Sequence, residues 1–139
     1  MGDIPELVGL LRAAHSETVY SGATFSEGKV TKSLTDTIER NFYCCVVERD
    51  GKIIGSLIAH MMGDLFTDDL IATGLFFYVI PEYRGGKKAV YMLWNFIKWA
   101  KDNNARQIRA GISSGNLAAH RIFGRLGFET VGFQYLLGG

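Results

Sequence analysis

Phe76-Phe77-Tyr78-Val79-Ile80-Pro81-Glu82-Tyr83-Arg84-Gly85-Gly86-Lys87-Lys88-Ala89 is the stretch that decides the fold. An apolar run ends at a proline, passes through a basic glycine turn and opens into a helix. Such a strand–loop–helix junction points backbone N–H groups and a positive helix end at one place, which suits a phosphate. Two glycines let a ligand approach the backbone closely, and Arg84, Lys87 and Lys88 add positive charge.

Outward from this junction, Ile71 to Ile80 is apolar on both faces and reads as a central strand. Lys87 to Asn103 reads as a helix, with Ala89, Leu93, Phe96, Ile97 and Ala100 on one stripe. Gln107 to Ser113 then reads as a strand. A helix follows, opened by Asn116 and stopped by Gly127 as its C′ glycine. Phe128 to Leu137 reads as a last strand.

Upstream, Asp3 is placed as a helix N-cap with Glu6 as its capping-box partner. Residues 15–30 read as a loop, and Val30, Leu34 and Ile38 mark a second helix ending near Asn41. Phe42 to Glu48 and Ile53 to Met62 read as a hairpin around Asp50-Gly51. Gly63 to Asp69 is a polar loop carrying Asp64, Asp68 and Asp69. The order α, α, β, β, β, α, β, α, β predicts an α/β domain. Its mixed, twisted sheet has antiparallel pairing first and a parallel strand–helix–strand unit over 71–113.

The 139 residues fit a single domain spanning 1–139. Hydrophobic content of 47%, charged content of 21% and a formal net charge of +1 describe an ordinary globular chain and argue against a general polyanion binder. Apolar runs are short, so no membrane span is expected, and the N-terminus lacks signal character. A cytoplasmic protein is expected. Cys44 and Cys45 are adjacent in a strand and point to opposite faces, so they are read as core thiols. Two cysteines and three scattered histidines give no zinc pattern, and no metal is expected.

The glycine turn is not a nucleotide-triphosphate P-loop, because Pro81 stands where the first glycine belongs and no Ser or Thr follows the lysine. It lacks dinucleotide-fingerprint spacing as well. Taken alone, it is equally compatible with a solvated strand–helix connection.

Val79-Ile80-Pro81-Glu82-Tyr83-Arg84-Gly85-Gly86-Lys87-Lys88-Ala89 resembles the acyl-CoA-binding signature of the GNAT superfamily of N-acetyltransferases. Asn116-Leu117-Ala118-Ala119-His120-Arg121-Ile122-Phe123-Gly124-Arg125-Leu126-Gly127-Phe128-Glu129 looks like that family's second signature, one helix and one strand downstream. The resemblance implies the GNAT fold and acetyl-CoA as co-substrate, with acetyl transfer to a primary amine of a small molecule or peptide. It implies that the backbone of Phe77, Tyr78 and Val79 pairs with the pantetheine arm, admitted by a splay between the 71–80 and 107–113 strands. Amides of Arg84, Gly85, Gly86, Lys87, Lys88 and Ala89 would hold the pyrophosphate, and Asn116 and Phe123 would line the thiol end.

Several positions depart from the family. Lys87 stands where glycine is usual. Phe123 stands where many members have a tyrosine that protonates the leaving thiolate. The 71–80 strand carries no acid. His60 is the candidate base, since imidazole is the side chain suited to relaying protons near neutral pH. The family's first and last edge strands look missing. An unpaired edge invites another chain, so a homo-oligomer that covers it is expected. These departures keep an alternative open: an inactive acyl-CoA-binding module, or an interaction protein on the same fold. Nucleic acid is not an expected partner, because the basic residues are accounted for by the phosphate loop and a helix surface.

Overall fold

The computed structural model describes residues 3–18, 22–40, 42–111, 117–131, 135 and 137. Helices α1 (Ile4–Ser16) and α2 (Glu27–Glu39) precede strands β1 (Tyr43–Arg49), β2 (Lys52–Gly63) and β3 (Leu70–Val79). A short 3-10 turn, Pro81–Tyr83, leads to α3 (Lys88–Asp102), β4 (Gln107–Arg109) and α4 (Leu117–Arg125). The sheet runs β1-β2-β3-β4, antiparallel except for the parallel β3–β4 pair. The expected mixed sheet with helices on both faces is present.

Two cores lie on opposite faces of the sheet. Leu57, Ala59, Ala72 and Val79 pack under Met92, Leu93, Phe96 and Ala100 of α3 and Phe123 of α4. Ile53, Ile58 and Tyr78 pack under Leu7, Val8 and Leu10 of α1 and Leu34 of α2. Burying each of the larger of these side chains is worth about 1.5–3 kcal/mol, so the apolar stripes decide which face each helix covers. Cys45 joins the α3 side and Cys44 the α1 side, both as free thiols. Burial pushes both thiols up from their ordinary range.

Local chemistry explains the joints. Asp50 (φ 53°) and Gly51 (φ 76°) take the left-handed conformations that a tight hairpin requires. Gly127 (φ 90°) ends α4, with the Phe128 amide returning to the Phe123 carbonyl at 3.0 Å. At α1 the cap sits at Asp3, but no capping box forms: the Asp3 side chain makes no cap bond. The Glu6 carboxylate instead accepts the Ile53 amide at 2.6 Å, tying α1 to the start of β2.

Two expected strands differ. β4 covers only Gln107–Arg109, shorter than the expected 107–113, and residues 112–116 lie outside the described residues. Residues 128–131 of the expected last strand join no strand, and 132–134 lie outside the described residues. β3 is long because β2 supports it along its whole length, from Gly55↔Val79 to Gly63↔Leu70, whereas β4 pairs with it only from Ile71↔Gln107 to Thr73↔Arg109.

Candidate active site at the β3–α3 junction

The short β4 creates the site. Past Thr73, β3 has no sheet partner on that side among the described residues. The Ile80 amide donates to the Ile54 carbonyl of β2 at 2.8 Å. Backbone groups alternate along a strand, so Tyr78 faces β2 while N–H and C=O of Phe77 and Val79 face the open edge. At the inner end of this edge, Gly74 approaches Ala110: a Cβ there would meet the Ala110 methyl at 3.6 Å. Leu57, Phe77, Leu93, Phe96 and Gly111 help line a small cleft beside it. Pairing between β3 and β4 therefore stops at Thr73↔Arg109 among the described residues, within the strands between which a splay was expected.

At the outer end, the chain turns through the proline. Tyr83 and Arg84 amides are spent on the Ile80 and Pro81 carbonyls at 2.9 and 3.2 Å. Gly85 then takes φ +89°, a conformation natural only to glycine. Lys87 sits at the N-cap of α3 with φ −83° and ψ −9°, and the first bond back to it comes from the Tyr91 amide at 2.9 Å. Lys87 needs no left-handed backbone, which is why a lysine fits where the resembling signature has glycine. Among the described residues, the amides from Gly85 to Val90 have no acceptor. They form an unspent donor row at a positive helix end, so of the expected amide donors only Arg84 is already engaged.

The basic side chains divide. Lys88 Nζ turns away and donates to the Glu48 carbonyl at 2.6 Å. Lys87 is exposed. Arg84 folds back over the β3 edge: its Nε donates to the Val79 carbonyl at 2.8 Å, and Nη2 donates to Glu17 Oε1 at 3.1 Å. The guanidinium carbon lies 5.2 Å from the Tyr78 ring centre, and the Tyr78 hydroxyl also donates to Glu17. Burial, and then the Glu17 hydrogen bond and charge, push the Tyr78 hydroxyl up to about 12, so it stays a neutral donor. Tyr78 is thus a side-chain link on the α1 face.

Phe123 packs behind Phe77, which lines the cleft. It is 9% exposed and packs against Phe77 at 5.9 Å and Phe128 at 5.4 Å. It offers no proton to a thiolate. Asn116 lies outside the described residues.

His60 lies opposite Thr73 on β2, half-buried, with its ring 5.9 Å from Phe42. It therefore neighbours the inner end of the splay, on the strand next to β3. Of the loop acids, Asp69 pairs with Arg106 at 3.1 Å. Asp64 accepts from Phe66 N–H and the Thr67 hydroxyl, which hold its carboxyl below its ordinary range. Asp68 is exposed. Among the described residues, no three His, Cys, Asp or Glu side chains come together as a metal site, and no helix is long and apolar enough to cross a membrane.

Glu17 was invisible in the sequence. It falls in no motif, and its partners Tyr78 and Arg84 lie 61 and 67 residues away. Only the packing of α1 across the sheet brings them together.

The family model described as "Acetyltransferase (GNAT) family" matches residues 8–128. No curated protein sequence matches significantly. Among solved structures, a predicted acetyltransferase with acetyl-CoA from Clostridium acetobutylicum superposes with TM-score 0.79 at 20% identity, covering 99% of this chain and 90% of its own. A ribosomal-protein-alanine N-acetyltransferase from Brucella melitensis gives 0.79 at 22% identity, over 94% and 82%. AAC(6')-Iy in complex with the bisubstrate analog CoA-S-monomethyl-acetylneamine gives 0.80 at 14% identity, over 99% and 92%. At these identities the structures establish a shared fold.

Proposed function

The chain belongs to the GNAT acetyltransferase family, and from that premise we propose that it transfers an acetyl group from acetyl-CoA to a primary amine by direct attack. One observation carries the reading. The unspent amides from Gly85 to Val90 stand at the head of a strand edge left open at Phe77 and Val79. The amides suit the pyrophosphate, and the open edge suits the pantetheine arm as an added strand.

The residues then divide the work. The neutral amine attacks the thioester carbonyl, forming the C–N bond. The Val79 amide, on the open edge, is the donor for the oxyanion. Collapse breaks the C–S bond and releases the CoA thiolate, while the ammonium gives its proton to water or to His60. His60 is proposed because its strand position adjoins the inner end of the splay. Asn116 and Phe123 are proposed to line the thiol end. The similar structures, AAC(6')-Iy with its acetylneamine bisubstrate analog and a ribosomal-protein-alanine N-acetyltransferase, favour a small-molecule or peptide amine as acceptor.

Isothermal titration with acetyl-CoA tests the reading, and no heat at high micromolar concentration would sink it. A second reading is favoured by Phe123: without a phenolic donor at the thiol end, the chain would bind acyl-CoA without turnover. Thiol release measured across a library of amines separates the two. Turnover on any amine excludes the second reading. The same proposal places the protein in the cytoplasm as a homo-oligomer covering a sheet edge. Light scattering at monomer mass would remove the oligomer.

A further inference from the structure

The Arg84 guanidinium lies on the β3 edge proposed to take the pantetheine arm. Its Nε occupies the Val79 carbonyl, which faces the open edge of β3, and its Nη2 spans both Glu17 oxygens at 3.1 and 3.2 Å. Glu17 itself is electrostatically misplaced. It is the C-cap of α1, where the helix end is negative and a carboxylate is disfavoured. Arg84 and the Tyr78 hydroxyl compensate it there. The pair is accessible, with side-chain exposures of 32% for Arg84 and 37% for Glu17, so an incoming anion can reach the guanidinium.

Resting on the proposed cofactor site, we propose that Glu17 is a positioning residue whose carboxylate stands in for a cofactor phosphate, holding Arg84 on the β3 edge until the pyrophosphate of CoA takes the guanidinium over. Arg84 sits at the mouth of the amide row, one residue before Gly85. A diphosphate seated on those amides offers the planar guanidinium fork a bidentate, more highly charged partner than a half-exposed carboxylate. Exchange of partners releases the Val79 carbonyl for the pantetheine amide. It also protects the empty enzyme, because Arg84 covers part of an unpaired strand edge. Glu17 therefore sets cofactor affinity by acting through Arg84, without touching the cofactor.

The test is a double-mutant cycle read by titration calorimetry with CoA. Glu17→Gln keeps the side chain's size and can still accept the Tyr78 hydroxyl, but frees Arg84. It should tighten CoA roughly threefold or more, and Glu17→Asp should fall between it and the parent. Arg84→Gln should weaken CoA, and adding Glu17→Gln to it should give no gain. An equal gain in both backgrounds would mean that Glu17 merely repels the phosphates directly and would overturn the proposal. Unchanged or weaker binding by a folded Glu17→Gln protein would overturn it as well. If the parent binds no CoA at all, the site reading fails and takes this proposal with it. Should Glu17→Gln fold poorly, the parent's Arg84 Nε–H resonance decides. It should shift with CoA and stay with S-acetylpantetheine, which lacks the pyrophosphate; the same shift with both would overturn the exchange.

Discussion

The rings of Phe77 and Phe123 meet with centroids 5.9 Å apart, so the strand that leads into the glycine turn and the helix after β4 share one core. Phe123 also meets Phe128 edge-on at 5.4 Å and is almost fully buried. The contact joins α4 to the cleft-lining strand β3. Truncation by Phe123→Ala should cost about 3 kcal/mol of stability, from lost transfer energy and the cavity left behind. Urea unfolding of the two proteins checks this. A loss under about 1 kcal/mol would show that α4 is not docked as described.

Gly85 and Lys87 occupy neighbouring positions with opposite demands. Gly85 has φ +89°, so Gly85→Ala should cost about 1–2 kcal/mol and Gly85→Pro more, because proline fixes φ near −65° and removes an amide. Lys87 has an ordinary right-handed backbone, so Lys87→Gly should change stability by only a few tenths of a kcal/mol, about the cost of glycine at an N-cap. CoA titration should show Gly85→Pro abolishing binding and Lys87→Gly leaving it near the parent's value. Parent-like binding by both would refute the amide row as the phosphate site.

Most of this was legible because it is local. Asp50-Gly51, the Pro81 turn, Gly85 and Gly127 each dictate their own backbone, and the apolar stripes assign helix faces. What was not legible depends on contacts far apart in sequence. The Glu6 carboxylate looked like half of a capping box, yet Ile53, 47 residues on, offers a buried amide that claims it. Arg84 looked like a phosphate ligand, yet Glu17 and the Val79 carbonyl hold it. Strand ends were overextended for a similar reason. The 107–113 run has strand character, but past Arg109 no pairing with β3 continues it among the described residues.

Alkaline pH should destabilise the protein in a defined order. Burial, with the Glu17 hydrogen bond and charge adding to it, raises the Tyr78 hydroxyl from its ordinary 10.0 to about 12. The folded state therefore holds a proton that the unfolded chain has lost. The stability linked to Tyr78 is complete below about pH 10 and falls as pH rises toward 12. Burial raises Tyr43, Cys44 and Cys45 in the same direction, so the thiols begin the decline from about pH 9. Urea midpoints measured from pH 8 to 11.5 should fall throughout the upper part of this range. Tyr78→Phe should be less stable at pH 8 but lose stability less steeply above about pH 10. An identical slope would show that the phenol is not held neutral by its surroundings.

Gly55 gives the sharpest link between packing and the site. It sits in β2 directly opposite Val79 and Val47. A Cβ there would stand 2.9 Å from the Tyr78 carbonyl oxygen, 3.0 Å from a Val47 methyl and 3.1 Å from a Val79 methyl. The first of these is backbone and cannot rotate away, so β3 must move off β2 at Tyr78–Val79. Overpacking of this kind costs about 1–3 kcal/mol, and about 2 is expected for Gly55→Ala. The displaced residues include the Val79 amide and the carbonyl that anchors Arg84. Gly55→Ala should therefore weaken acetyl-CoA as well as stability, although residue 55 lies on the neighbouring strand. Gly9, inside α1 with nothing within 4 Å of a built Cβ, is the control. There Gly9→Ala should stabilise by about 0.5–1 kcal/mol through helix propensity and leave acetyl-CoA affinity unchanged. Urea unfolding and calorimetry on the two variants check both halves. Full acetyl-CoA affinity in a measurably destabilised Gly55→Ala protein would mean that the β3 end is not part of the cofactor clamp.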